Sequence, residues 1–148
     1  MDIKVFIHRL PHAKDLAWPQ YMSEDAAGMD LFAAVTEQTV MMPQTRALIP
    51  TGLMVAIPSG FEAQVRPRSG LAWKWGICVL NSPGTIDADY RGEIKIILAN
   101  LGDSAFTVLR GDRIAQLVVS PVPRVQLCEC TQLPPTGRGE GGFGHTGL

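Results

Sequence analysis

Two aspartates and a tyrosine lie close together in the stretch Ile86-Asp87-Ala88-Asp89-Tyr90-Arg91-Gly92. Aspartates two positions apart can hold a divalent cation, or one of them can act as a general base on water. The stretch also has the composition of a turn before a strand, and turn aspartates commonly have no further role. By itself it therefore leaves a catalytic and a structural interpretation open.

A second group with chemical potential is Arg66-Pro67-Arg68-Ser69-Gly70, which offers two guanidinium groups and a hydroxyl. Ser69 is predicted to cap a short helix over residues 69–74, whose free N–H groups would point at an anion. Arginine binds phosphate oxygens through paired hydrogen bonds, so the stretch fits a phosphate clamp. Surface arginines on an edge strand, followed by a plain connector, would give the same pattern.

The last twelve residues, 137–148, contain six glycines together with Arg138, Phe143, His145 and Thr146. Glycine buries little apolar surface, so composition predicts a segment that is mobile in the free protein. The other side chains bind phosphates or stack on bases, which favours a segment that orders over a ligand. A G-x-G-x-x-G spacing occurs here, but a dinucleotide site needs a helix after it, and only four residues follow the last of these glycines. A dinucleotide fold is therefore excluded.

Charge and hydropathy narrow the class of protein. The net charge of −1 gives no broad basic field for a nucleic-acid duplex or an anionic membrane, so a few placed arginines must meet any polyanionic ligand. No stretch approaches the roughly 18 apolar residues of a membrane span, and the first residues lack a signal-peptide pattern. These features predict a cytoplasmic protein with neither nucleic acid nor membrane as a partner. Cys78, Cys128 and Cys130 lack the spacing of a zinc site and are predicted to be reduced packing residues.

Short segments of alternating apolar residues predict the elements that must position these groups. The segments cover residues 3–7, 61–65, 94–98 and 125–127, and 15 glycines and 11 prolines punctuate the chain between them. This pattern predicts an all-β sandwich or barrel with one short helix. The domain would cover residues 1–132. A glycine-rich C-terminal arm would follow over residues 133–148, introduced by Pro134-Pro135.

Five motifs, taken in order along the chain, resemble those of the trimeric dUTP pyrophosphatases, the dUTPase family. They are AGMDL (27–31), RPRSGL (66–71), NSPGTIDADYRG (81–92), RGDRIAQ (110–116) and RGEGGFGHTG (138–147). The resemblance implies a jelly-roll-like β fold and a homotrimer with active sites shared between subunits. It also implies hydrolysis of dUTP to dUMP and pyrophosphate with Mg²⁺, which supplies DNA precursor and keeps uracil out of DNA.

The same resemblance assigns the base and the nucleoside contacts. Asp87 would activate the water that attacks the α-phosphorus. Tyr90 would lie under the deoxyribose and leave no room for a 2′-hydroxyl. Asn81 and the backbone of the following hairpin, which contains Thr85 and Ile86, would hydrogen-bond the uracil edge.

The resemblance also implies how the triphosphate is held. Arg68, Ser69, Gly70 and Gln116 map to phosphate contacts. Mg²⁺ would be bound mainly by the phosphates and by waters, and Asp30 would meet those waters rather than the ion.

The C-terminal arm resembles the lid of this family. Arg138, His145 and Thr146 would close on the outer phosphates, while Phe143 would stack over the uracil. Gly144 is among the glycines that let backbone N–H groups approach the phosphates. Position 145 carries histidine where the family more commonly has serine.

Two other functions fit part of the pattern. A dCTP deaminase shares the fold and the trimer, but it has its own pattern after the arginine-serine of the second motif and uses a catalytic glutamate. A non-catalytic trimeric jelly roll would bind nucleotide without turnover. The stretches 69–72 (SGLA) and 86–90 (IDADY) favour the pyrophosphatase over the deaminase. Asp87, Tyr90, Arg138 and Phe143 are all present, which favours it over the non-catalytic protein.

Overall fold

The computed structural model describes residues 3–143, and every structural statement below concerns this part of the chain. Short strands joined by tight turns dominate it, as the spacing of glycine and proline predicts. The strands are Phe6–Arg9 (β1), Met29–Phe32 (β2), Thr39–Met41 (β3), Arg46–Pro50 (β4), Leu53–Ala56 (β5), Phe61–Arg66 (β6), Ile77–Val79 (β7), Gly84–Ile86 (β8), Lys95–Asn100 (β9), Phe106–Val108 (β10) and Arg113–Pro121 (β11). A helix, α1, covers Ser69–Trp75, and a 3₁₀ turn covers Pro11–Ala13.

Antiparallel pairing joins these strands into two larger sheets and two strand pairs. The four-stranded sheet has the order β2-β11-β6-β8, and the three-stranded sheet has the order β4-β9-β7. The remaining pairs are β1 with β5 and β3 with β10. This architecture confirms the predicted all-β, jelly-roll-like fold with one short helix.

Side chains from both larger sheets join in one apolar core. The period-two pattern decides which of them enter it, as β6 illustrates. Ala63 and Val65 are buried, whereas Glu62, Gln64 and Arg66 on the same strand face the other way. Burying one valine or leucine side chain stabilises the fold by about 1.5–3 kcal/mol, so the alternation fixes which face of the strand points inward.

The strand predicted over residues 125–127 does not form. β11 ends at Pro121, and Val125 and Leu127 are 79% and 92% exposed. Proline cannot donate to a sheet ladder, and Pro121 and Pro123 both precede the segment. Within residues 3–143, no strand pairs with this segment. The other predicted strands form, with bounds shifted by up to a few residues.

Helix α1 forms where it was predicted, but its start differs. Ser69 is the first helical residue rather than the cap, and the extended Arg68 before it makes no side-chain capping bond. The helix ends at Trp75, and Gly76 caps it in the left-handed conformation with φ of 68°. A Cβ at Gly76 would lie 2.5 Å from the backbone nitrogen of Gly102, so only glycine fits this close approach.

The cysteine prediction is wrong in part. All three thiols are free, but only Cys78 is partly buried, whereas Cys128 and Cys130 are exposed. The latter two lie in the segment beyond β11, where packing partners from the described chain are lacking. Within residues 3–143, no helix is long enough and apolar enough to cross a membrane.

A bidentate salt bridge between Arg110 and Asp15 connects the segment after β1 to the turn before β11. Arg110 donates two hydrogen bonds to the Asp15 carboxylate, with Nε and Oδ2 3.0 Å apart. The same guanidinium donates to the carbonyl oxygens of Val35 at 3.0 Å and His12 at 2.6 Å. The hydrogen bond from Arg110 lowers the pKa of Asp15 below its usual value. The first residue of the fourth motif is therefore a structural anchor.

We expect Asp15→Asn to lower the melting temperature modestly at neutral pH. Because the pKa of Asp15 is lowered in the folded state, its contribution to stability is full above the unfolded value of 3.8 and is lost as the pH falls through the folded value. Melting curves of both proteins between neutral and acid pH would therefore converge at the acid end. Asp103→Asn is the matched control, because Asp103 makes no ion pair within residues 3–143. A gap that stayed constant down to the lowest pH would contradict this account.

Candidate active site

The outward face of the four-stranded sheet places polar residues from several motifs in one row. Asp30 on β2 lies opposite Gln116 on β11, and Gln116 lies opposite Arg66 on β6. Residues directly opposite each other in antiparallel strands point to the same face. Their neighbours Leu31 and Leu117 are buried on the other face, so core packing holds this polar row outward.

Beside this row lies a cleft of about 290 Å³, called the arginine cleft below. It is lined by Met22, Ala26, Gly28, Asp30, Arg68, Ser69, Gly70, Arg113 and Gln116. The structure therefore brings together all the predicted phosphate contacts outside the C-terminal arm, together with the residue predicted to meet the waters of a magnesium ion.

The arginine cleft has two cations around one buried carboxylate. Asp30 is 9% exposed, and its Oδ2 lies 3.1 Å from Nη1 of Arg113 while its Oδ1 lies 3.5 Å from Nε of Arg68. Arg68 also donates to the backbone carbonyl of Arg113 at 2.9 Å. Two guanidiniums and one carboxylate leave a net positive charge. The cleft is thus suited to an anion whose oxygens need several donors.

Gln116 and Gly28 fix the wall of the arginine cleft. The Gln116 side chain donates from Nε2 to the carbonyl oxygen of Pro67 at 3.0 Å, which holds the turn that presents Arg68 and Ser69. A Cβ at Gly28 would lie 2.5 Å from Oε1 of Gln116. The glycine of the first motif therefore makes room for the glutamine of the fourth.

A second cavity, of about 400 Å³, opens beside the β8 hairpin and is called the hairpin pocket below. It contains the predicted nucleoside contacts Asn81, Thr85, Ile86 and Tyr90 and the predicted base Asp87, and Gly84 and Glu93 also line it. Its remaining walls are mainly apolar, from Leu48, Val65, Val79, Ile94, Lys95, Ile96 and Ile97. A flat ligand with polar edges fits this combination.

Tyr90 folds back over the turn that carries it. Its hydroxyl donates to the carbonyl oxygen of Glu93 at 3.0 Å, and its backbone N–H donates to the carbonyl of Asp87 at 3.1 Å. A Cβ at Gly92 would overlap the tyrosine hydroxyl. Gly92 is therefore needed for the ring to lie where it does.

Asp87 is the free carboxylate of the hairpin pocket. It is exposed, and within residues 3–143 its side chain takes part in no ion pair or hydrogen bond. It lines both the hairpin pocket and a neighbouring cleft of about 570 Å³. Asp89, two residues later, lines only that neighbouring cleft. A carboxylate without a bound donor can accept a proton from water, so Asp87 has the freedom that a general base requires.

The predicted site residues form two groups that share no lining residue. Asp30, Arg68, Ser69, Gly70 and Gln116 lie in the arginine cleft, whereas the hairpin pocket holds the others of the folded domain. One chain therefore does not gather the predicted residues into a single cavity.

The predicted lid residues stand apart from both groups. Arg138 donates from Nε to the carbonyl of Gly141 at 2.6 Å, within the arm itself, and Phe143 is fully exposed. The predicted contacts Gly144, His145 and Thr146 lie outside the described residues.

Two residues of these cavities are missing from the predicted set. Arg113 stands within the fourth motif, so its charge beside Gln116 was a signal that could have been used. Glu93 follows the third motif directly, and its acidic side chain lines the hairpin pocket with only 14% exposure. Nothing in the sequence pattern indicates that Glu93 turns inward.

The His, Cys, Asp and Glu side chains of residues 3–143 do not form a metal site by themselves. Within residues 3–143, no three His, Cys, Asp or Glu side chains are close enough to hold a metal ion. The arginine cleft has a single carboxylate, Asp30, already paired with two guanidiniums. These residues fit a cation that arrives with a polyanionic ligand and keeps its waters.

The family model, the related sequences and the related structures that match this chain all belong to one family. The family model described as dUTPase matches residues 14–147. A deoxyuridine 5'-triphosphate nucleotidohydrolase of Thermoanaerobacter sp. is 54% identical over 148 residues, covering 100% of both chains. One from Rhizobium leguminosarum bv. trifolii is 58% identical over 142 residues, covering 95% of this chain and 91% of the relative. A variant of the Staphylococcus bacteriophage 80alpha dUTPase, solved with dUpNHpp, superposes with a TM-score of 0.87 at 26% identity, covering 98% of this chain and 99% of that chain.

We expect Asp30→Asn to lower the free energy of unfolding by about 1–3 kcal/mol, because two guanidiniums lose their charged acceptor. Denaturant unfolding at fixed protein concentration would measure it. The decisive control is a double-mutant cycle with Arg113→Gln. In the Asp30→Asn background, Arg113→Gln should cost much less than it does in the wild type, since the ion pair is already lost. Equal costs in both backgrounds would contradict the pairing.

Proposed function

The chain belongs to the dUTPase family and is a hydrolase that acts on dUTP, and from this premise we propose that it converts dUTP and water to dUMP and pyrophosphate with Mg²⁺. The observation that carries the proposal is the hairpin pocket, where the free carboxylate of Asp87 stands beside Tyr90 and Asn81. The reaction would supply dUMP for dTMP synthesis and limit uracil incorporation into DNA. We place it in the cytoplasm.

The hairpin pocket would bind the nucleoside. Asn81 and the backbone of Thr85 and Ile86 line it and would hydrogen-bond the uracil edge, where cytosine presents the wrong donor. The ring of Tyr90 would lie against the deoxyribose. Because its hydroxyl is tied to the Glu93 carbonyl, the ring has a defined position from which to exclude a 2′-hydroxyl.

Asp87 would act as the general base. Its carboxylate takes a proton from a water as the water oxygen forms a bond to the α-phosphorus. The bond between the α-phosphorus and the bridging oxygen breaks, and pyrophosphate leaves with the electron pair. The free state of this carboxylate supports the role, since no partner has to be displaced before the proton is accepted.

The arginine cleft would hold the phosphates. Arg68 and Arg113 supply the positive charge, and Ser69 adds a hydroxyl. Mg²⁺ bound to the triphosphate would neutralise charge on the phosphate oxygens. Asp30 is the carboxylate of this cleft and would hold the waters of that ion.

We propose that the enzyme is a homotrimer in which the hairpin pocket of one subunit is completed by the arginine cleft of another. The separation of the two cavities on one chain supports this. The segment beyond β11 also leaves Val125, Leu127 and Leu133 exposed at 79%, 92% and 77%. A second copy would cover such apolar side chains.

The arm over residues 133–148 would act as the lid on the domain of residues 1–132. Arg138, His145 and Thr146 would contact the outer phosphates, Gly144 would approach them through its backbone, and Phe143 would cover the uracil. The full exposure of Phe143 is compatible with a side chain that awaits a ligand.

We expect Asp87→Asn to lower kcat for dUTP by at least about 100-fold, because an amide cannot accept the proton of water. Pyrophosphate release from dUTP, UTP, dCTP and dTTP with Mg²⁺ would measure the rate and the selectivity together. Asp89→Asn is the matched control, since Asp89 is also exposed but lies outside the hairpin pocket. Loss of activity in Asp89→Asn alone would reassign the base, and ammonia release from dCTP would indicate a deaminase.

Mixed trimers test the shared site. Asp87→Asn and Arg68→Gln should each be nearly inactive alone. When equal amounts are unfolded and refolded together, about a quarter of the sites should combine an intact Asp87 with an intact Arg68 from different subunits, restoring about a quarter of the wild-type rate. Separately refolded proteins that are only mixed serve as the control. No recovery after joint refolding would mean that each site is built from one chain.

A further inference from the structure

We infer that Glu93 is a positioning residue that sets selectivity for deoxyribose, by holding the carbonyl group to which Tyr90 is anchored. This inference rests on the proposed function of the hairpin pocket. It concerns a residue that lines the pocket but carries no role in the nucleoside contacts described above.

Three partners hold the Glu93 side chain. Its Oε1 accepts a hydrogen bond from the backbone N–H of Gly52 at 2.8 Å and lies 3.0 Å from Nε2 of His12. Its Oε2 lies 3.8 Å from Nζ of Lys95. The carboxylate is only 14% exposed, so these contacts are largely shielded from water.

The backbone that follows Glu93 is fastened to the same turn. The N–H of Ile94 donates to the carbonyl of Leu53 at 2.7 Å, and the hydroxyl of Thr51 donates to the carbonyl of Ile94 at 2.6 Å. Residues 93 and 94 are therefore held to the turn at residues 51–53 by both side-chain and main-chain bonds. The position of the Glu93 carbonyl depends on this attachment.

Tyr90 depends in turn on that carbonyl. Tyr90 is 45% exposed as a residue, so packing alone constrains it weakly, and its hydroxyl donates to the Glu93 carbonyl at 3.0 Å. Gly92 provides the open space beneath the ring. A shift of the Glu93 carbonyl would release the hydroxyl and let the ring rotate away from the sugar.

Glu93 is not a second candidate base. Its carboxylate is engaged by the Gly52 N–H, by His12 and by Lys95, whereas Asp87 in the same pocket has a free carboxylate. The structure thus separates two acidic roles in the hairpin pocket. Asp87 is placed to take a proton, and Glu93 is placed to hold the wall.

The test compares kcat and KM for dUTP and UTP in the wild type, Glu93→Ala and Glu93→Gln. We expect Glu93→Ala to lower the dUTP-to-UTP ratio of kcat/KM by about three- to ten-fold, mainly by lowering KM for UTP, because a released Tyr90 ring no longer excludes the 2′-hydroxyl. Glu93→Gln keeps an oxygen that accepts from Gly52, so it should restore most of the ratio. Tyr90→Phe should reproduce the loss, and adding it to Glu93→Ala should cost little more.

A merely structural role would give a different result. If Glu93→Ala lowered the melting temperature but left the dUTP-to-UTP ratio unchanged, the inference would be overturned. Thr45→Val is the control, because it removes a hydrogen bond to the Met42 carbonyl, outside the pocket and outside the Glu93 contacts, and should leave the ratio intact. If Glu93→Ala failed to fold, His12→Ala, which removes one of the partners, should lower the ratio in the same direction, and an unchanged ratio there would overturn the inference.

Failure of the proposed function would be recognised separately. A wild type that hydrolysed neither triphosphate would refute the function, and binding would then decide the inference. Calorimetric titration with dUMP and UMP needs no turnover. A preference for dUMP that Glu93→Ala weakens would support the positioning role, and an equal preference in both proteins would overturn it.

Discussion

The pairing of β11 with β2 on one side and with β6 on the other is the constraint on which the arginine cleft depends. In this register, Asp30 and Gln116 face outward only because Leu31 and Leu117 enter the core. A slip of one residue would turn the carboxylate from the polar cleft into the apolar core and turn the leucines out of it, since side chains alternate with a period of two. The cost of that exchange keeps the polar row in place. Apolar packing therefore determines where the charges of the site lie.

Carboxylates in this protein divide into anchored and free groups, and the division follows their partners. Asp15 is bound by Arg110, and Asp30 is bound by two guanidiniums. Glu93 is bound by a backbone N–H, by His12 and by Lys95. Each of these contacts holds two parts of the chain together. Asp87 makes no such contact within residues 3–143. Asp89 and Asp103 also lack such contacts within residues 3–143, and of these three aspartates only Asp87 lines the hairpin pocket. The absence of a partner and the position in the pocket together separate the proposed base from the structural anchors.

The sequence predicted structure correctly where local alternation decides it. The prediction failed where strand formation or side-chain position depends on residues distant in the sequence. The alternation in residues 61–65 predicted β6 because one face of it enters the core. The same alternation in residues 125–127 gave no strand, because no described strand pairs with it.

Arg113 shows a subtler limit. Ala115 is buried, so regular alternation would turn Arg113 inward too, but the register shift between them directs Arg113 outward to Asp30. Glu93 was missed because its role depends on Gly52, distant in sequence.

The separation of the hairpin pocket from the arginine cleft also has an energetic consequence for the proposed trimer. The apolar side chains beyond β11 would supply the association energy, at about 25 cal/mol for each Å² of apolar surface removed from water. The guanidiniums of Arg68 and Arg113 would then be free of any part in holding subunits together and could keep their donors for the ligand. Assembly and ligand binding would draw on different residues of the same chain. When subunits associate through apolar side chains, the site is completed while the charges of Arg68 and Arg113 stay available to the ligand.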